Sequence, residues 1–243
     1  MRDDKPIQSP GGSDILRHQA QDRPIQFPTE SPHATAIEDH FARIFGQPEQ
    51  VFHEIVSDIV HIDVHIIPPR PERDCWTLFT TGMSALPMTV PPHLENHENL
   101  AFAELMLVLP PSWEVGNNAD KWFWPLSWLK KLARLPHEYN TWLGPLHTIP
   151  NGDPAKPFAP ETKLCCWTLL PPVEVSAQDC TITLADQRIV NIYCLHALHR
   201  EEMALKLNKG VDALLEALDN AGVTEVLQIK RPPAVRTKLF GLF

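Results

Sequence analysis

The sequence predicts an α+β domain whose mostly antiparallel or mixed central sheet is flanked by helices. Three observations carry that expectation. From Ser57 to Ile67 the side chains alternate, with Val60, Ile62, Val64 and Ile66 on one face and His61, Asp63 and His65 on the other. This is the period of a strand with one packed face and one wet or partnered face. Ala101 to Leu109 is almost continuously apolar, broken by Glu104, as expected of a central strand buried on both faces. The element order, α-β-β-β-α-loop-β-β-α, lacks the regular strand–helix alternation of a doubly wound fold.

The elements follow in chain order. Residues 1–32 mix seven Pro or Gly residues with polar ones and read as a flexible leader. The domain is expected over 33–233, with a tail at 234–243. Thr35 and Glu38 have the spacing of a capping box, Ile37, Phe41, Ile44 and Phe45 form an apolar stripe, and Gly46 supplies a stop. Pro68-Pro69 ends the alternating strand, because proline cannot donate to a ladder. Cys75 to Thr81, rich in β-branched and aromatic residues, is the neighbouring strand. Trp124-Pro125 opens a second helix, with Trp128, Leu129, Leu132 and Leu135 as its buried side. Gly144 to Pro160 is a long, proline-rich loop of the kind that is functional or mobile.

Further strands are expected at Lys163 to Leu170 and at Arg188 to Ala197, the latter with a hairpin partner at Thr181 to Leu184. A helical region at His199 to Asn220, open to a break at Gly210, leads to a last strand at Val223 to Ile229.

Composition excludes several function classes. A net charge of −9 without a Lys/Arg-rich run repels polyanions, so no nucleic-acid partner is expected. No apolar run reaches the roughly 20 residues that span a bilayer, so no membrane partner is expected either. The charged start lacks the apolar core of a signal peptide, which predicts a cytoplasmic protein. Five cysteines, an odd number with Cys165 and Cys166 adjacent, read as buried thiols rather than a disulfide framework.

Three groups of residues carry chemistry. His61-x-Asp63-x-His65 places two imidazoles and a carboxylate on one strand face, about 6–7 Å apart at the Cα level. They could converge on zinc or iron, and the simpler account is a hydrated polar face. Thr80, Gly82, Met83 and Ser84 stand where a strand ends, with turn closure as their default role. His147, Thr148 and Asn151 combine a titratable ring with turn chemistry. They either face a ligand or order their own loop. The tryptophans Trp113, Trp122, Trp124 and Trp128 read as packing. There is no phosphate-cradling glycine loop, dinucleotide fingerprint, H-E-x-x-H or C-x-x-C. No cofactor is expected, and an enzyme is the less favoured reading.

Several segments together resemble the suppressor-of-fused domain family. They are His61-Ile62-Asp63-Val64-His65-Ile66-Ile67-Pro68-Pro69, Thr77 to Ser84, Trp124-Pro125-Leu126 with Leu132-Ala133-Arg134, and Asn140-Thr141-Trp142 leading to His147-Thr148-Ile149-Pro150-Asn151. The resemblance covers Ala36 to Arg231 and points to bacterial single-domain members. It implies an N-terminal-domain-like α/β fold and a non-enzymatic role in binding proteins. The animal member has a further C-terminal domain, for which this chain is expected to be too short, so the composite peptide groove and Hedgehog signalling are not carried over. The resemblance further implies an immunity-like protein that neutralises a toxin or regulates a protein partner. Its contacts would come from His61, Asp63, His65, Thr80, Gly82, Met83, Ser84, His147, Thr148 and Asn151. The alternatives are a metal-dependent hydrolase using His61, Asp63 and His65, and a structural homo-oligomer.

Overall fold

The computed structural model describes residues 7–18, 31, 33–54 and 59–235. Ser57, most of the leader and the end of the tail lie outside them. A small antiparallel hairpin comes first, β1 (Ile7–Gln8) with β2 (Asp14–Ile15). It rests on the helical end of the chain, where the Gly11 amide donates to the Leu207 carbonyl at 2.7 Å. A Cβ on Gly11 would come within 2.4 Å of the Gly210 nitrogen, so only glycine allows this seat.

Helix α1 (Ala34–Phe45) buries Ile37, Phe41 and Phe45, at about 1.5–3 kcal/mol for each such side chain. It starts one residue before Thr35, with His33 at the N-cap and no side-chain capping bond. Thr35 therefore lies inside the first turn, and the predicted capping box is not formed. At the other end Gly46 adopts φ 106° and its amide closes on the Ala42 carbonyl, as its stop role requires.

The sheet then assembles from β3 (Gln50–Phe52), β4 (Asp63–Ile67), β5 (Trp76–Thr81) and β6 (Phe102–Leu109), each antiparallel to the last. Val60, Ile62, Val64 and Ile66 are all buried on the face the alternation assigns them. Regular pairing nevertheless begins only at Asp63, where Thr81 is its partner. Helix α2 (Asp120–Tyr139) begins four residues before Trp124, and Asn117 Oδ1 accepts the amide of its N-cap residue Ala119 at 3.0 Å. Pro125 consequently lies within the helix rather than at its start.

The remaining strands are β7 (Thr148–Pro150), β8 (Cys166–Leu170), β9 (Thr181–Thr183) and β10 (Ile189–Leu198), followed by α3 (Arg200–Lys209) and α4 (Val211–Asn220). Gly210, at φ 92°, separates the two helices as its position suggests. Val223 to Ile229 forms no strand. Val226 makes a single bridge to Val108, at the end of β6 that lies beyond the β10 ladder.

Among the described residues the strand order is β3-β4-β5-β6-β10-β8-β7, with β9 beside β10. Every neighbouring pair is antiparallel except β6 and β10, which run parallel from Phe102↔Val190 to Met106↔Cys194. A mixed sheet flanked by helices is thus what the sequence predicts. One core packs α2 and the tryptophans against the face carrying Val64, Leu78 and Leu105. A second packs α1 against the face carrying Phe79, Met106 and Cys194. The tryptophans are packing residues: Trp113 stands edge-on to Trp122 and Trp124, and Trp124 stacks on Phe158. All five cysteines are free thiols, four of them buried.

Candidate functional site

The turn after β5 is organised by a residue that sequence reasoning treated only as a break in an apolar run. Glu104 lies on β6, is fully buried, and accepts hydrogen bonds from Thr80, Gly82 and Ser84. Thr80 Oγ1 donates to Oε2 at 2.6 Å. The amides of Gly82 and Ser84 donate to Oε1 at 3.0 and 2.9 Å, and Ser84 Oγ joins them at 2.6 Å. Thr80 Oγ1 also accepts the Leu105 amide, so its single proton is free to serve Glu104. Burial pushes the Glu104 carboxyl up to about 7, against the four bonds that favour its charged form.

Gly82 is the hinge of the arrangement. Its φ of 106° is unfavourable to other residues, and a Cβ there would fall 1.8 Å from the His61 carbonyl oxygen. His137 of α2 donates from Nε2 to the Met83 carbonyl at 2.9 Å, fastening the turn from the other side. Thr80, Met83 and Ser84 are therefore buried, and their polar groups serve Glu104 and α2. They hold the turn and offer no surface to a partner.

His61 and Asp63 meet at the entrance to β4. Asp63 Oδ1 lies 3.1 Å from His61 Nε2, and Asp63 Oδ2 lies 3.1 Å from Nδ1 of His53, which follows β3. The Glu54 amide donates to Oδ1 at 3.1 Å and fixes the carboxylate. Glu54 itself faces Arg134 of α2 and accepts the Ile62 amide. His65 does not join this group. It is buried, bonds Thr81 Oγ1 at 3.0 Å, and stacks at 4.8 Å on Phe79, which stacks in turn on Phe41 of α1. Burial lowers it to about 4, so it is neutral. The predicted triad of His61, Asp63 and His65 is corrected on this point: α1 covers His65, and His53 takes its place.

The third predicted group lies on the far edge of the sheet. His147 is half-buried, accepts the Gly144 amide on Nδ1 at 3.3 Å and packs edge-on against Trp142. Burial, with the nearby Lys206 charge, lowers it to about 4. Asn151 Nδ2 donates to the carbonyls of Lys156 and Pro157 at 2.9 and 3.0 Å. Both side chains order their own loop, the second of the two roles their residue types allow. Thr148 Oγ1 and the Leu146 carbonyl accept Lys206 Nζ at 3.3 and 2.5 Å, which ties β7 to α3.

Two of the three predicted groups are thus adjacent, at the ends of β4 and β5, and the third is separate. Sequence reasoning missed Glu104, His53, Glu54 and His137. The signal for Glu104 was present, since an acid inside a strand buried on both faces must find donors nearby. His53 has no such signal, because it stands in a short segment without periodicity.

The fold defines an α+β domain with a mixed sheet, built around a buried carboxylate-held turn. The family described as "Suppressor of fused protein (SUFU)" matches residues 58–232, and the chain belongs to that family. The resemblance read from the segments above is thereby borne out. Among solved structures, a chain of the Sufu-Fu complex is 15% identical with a TM-score of 0.60, covering 85% of this chain and 93% of the other. The Drosophila Suppressor of Fused is 14% identical with a TM-score of 0.59, and the match covers 84% of this chain. It spans 52% of the Drosophila chain, about half its length. At these identities the likeness establishes the fold. No curated protein matches the sequence. Among the described residues no helix is long and apolar enough to cross a membrane.

Proposed function

We propose that this chain is a non-enzymatic protein-binding domain, and specifically an immunity-like protein that binds and neutralises a toxin. The observation that carries the reading is the β3 edge. Gln50–Phe52 pairs with β4 on one side and ends the strand order on the other. An edge of this kind accepts a partner strand, with backbone bonds giving affinity and neighbouring side chains giving choice. The opposite edge suits this less well, because Pro150 in β7 has no amide to donate and Lys206 holds the strand to α3.

Half-buried His61 and Asp63 lie next to the β3 edge and remain the contact residues of this reading. Thr80, Gly82, Met83 and Ser84 act behind them by fixing the turn against the His61 backbone. His65, His147, Thr148 and Asn151 keep their neighbouring elements in place. One of the family's solved relatives was obtained as a Sufu-Fu complex, which supports a protein partner. The net charge of −9 favours a basic one, such as a nuclease toxin.

The test is affinity capture from the native host with the purified domain as bait, followed by co-expression of the captured protein. The expected result is one basic protein retained at high salt, whose toxicity the domain relieves. Failure to relieve toxicity refutes the immunity role, and failure to retain any protein refutes the binding role.

A further inference from the structure

We infer that His53, His61 and Asp63 form a divalent transition-metal site, with zinc as its best-matched occupant. Two imidazole nitrogens and one carboxylate oxygen are the donor set of borderline metals such as zinc, cobalt and nickel, and are poorly suited to calcium or magnesium. One donor atom from each residue lies within 4.8 Å of the others, and the two oxygens of Asp63 each face one ring, Oδ1 at 3.1 Å from His61 Nε2 and Oδ2 at 3.1 Å from His53 Nδ1. Metal–donor bonds of about 2.1 Å in a tetrahedron place neighbouring donors about 3.4 Å apart. The side chain of His53 is 71% exposed and has room to rotate towards the other two donors.

The surroundings fit as well as the donors do. The Glu54 amide holds Asp63 Oδ1, an outer-sphere bond of the type that orients a ligating carboxylate. His53 follows β3 and His61 precedes β4, so one ion would fasten the edge strand to the start of its neighbour. Three protein ligands leave a fourth position open to solvent.

The full chain, freed of metal by dialysis against a chelator, is titrated with zinc in a calorimeter and with cobalt(II) in a spectrophotometer. The expected results are one ion per chain, the visible absorption of four-coordinate cobalt, and a melting temperature raised by zinc. His53→Gln changes an exposed side chain and leaves the fold intact. As it removes a direct ligand, it weakens binding by more than the roughly tenfold lost when only an outer-shell partner is disturbed. Asp63→Asn abolishes the cobalt spectrum, while His97→Gln, in the turn before β6, changes neither. Absence of saturable zinc binding, or equal affinities in the parent and His53→Gln, would overturn the assignment. The three side chains would then be a hydrogen-bonded His–Asp–His row.

Discussion

Replacing Glu104 with glutamine keeps the side chain's shape while removing its ability to ionise. Burial holds the parent carboxyl at about 7, against an ordinary value of 4.5. At about 1.4 kcal/mol per pH unit, that gap is worth about 3 kcal/mol. The sign follows from proton counting. Between 4.5 and 7 the folded protein keeps a proton that the unfolded chain has released, so this group's stabilisation is full below 4.5 and lost as pH rises through 7. Glutamine mimics the protonated form. Its oxygen accepts from Gly82 and Ser84, and its amide donates to Thr80 Oγ1, whose hydroxyl then turns to the Leu105 carbonyl at 3.4 Å. Urea denaturation of both proteins from about pH 5 to about pH 8 measures the effect. The variant should gain about 2–3 kcal/mol on the parent across that range. His65, His147 and His196 are each lowered to about 4 by burial, so both proteins lose stability as pH falls from 6.5 towards 4. That loss is common to the two and cancels in the difference. A difference that stays flat with pH would show that the carboxyl is not near 7, and the argument from its burial would fail.

Two further changes probe the framework. Glu202 of α3 is buried and bonded through both oxygens by Arg231, each at 2.6 Å. Arg231→Ala strands that charge and should cost about 3–5 kcal/mol in chemical denaturation, with part recovered on adding Glu202→Gln. An unchanged midpoint would mean the pair contributes nothing. Gly82→Ala forces a methyl group against the His61 carbonyl at positive φ, and should lower stability by at least about 2 kcal/mol. A melting temperature close to the parent's would refute the close approach.

How far the sequence could be read depended on how many residues shared a pattern. The alternation from Val60 to Ile66, the apolar run of β6 and the stripe of α1 each repeat over several residues, and the structure buries them accordingly. Gly210 was readable because a single positive φ there splits a helical stretch. β3 and β7 have three residues each, too few to show any period, so both sheet edges went unseen. The site was legible in composition and not in assembly. Alternation puts Asp63 and His65 on one face, but it cannot say that α1 and Phe79 close over His65. Nor can it say that His53 returns from a neighbouring strand to fill its place. Thr80 and Ser84 stood out as residues at a strand end, while their acceptor, Glu104, was twenty or more residues along the chain.

The parallel seam between β6 and β10 has a consequence for how the chain is made. β3 to β6 can pair locally, whereas β6 must wait for a strand synthesised much later, and domains begin folding N-terminus first during synthesis. In that interval Phe102–Leu109 is an open, strongly apolar edge, the kind of surface that recruits other chains. Glu104 sits within it. While the strand is wet, its carboxylate carries a charge that discourages such pairing. In the finished sheet Ile192 of β10 lies beside it, and the same group is the acceptor that locks the turn. One side chain thus guards the nascent strand and then fastens the finished one.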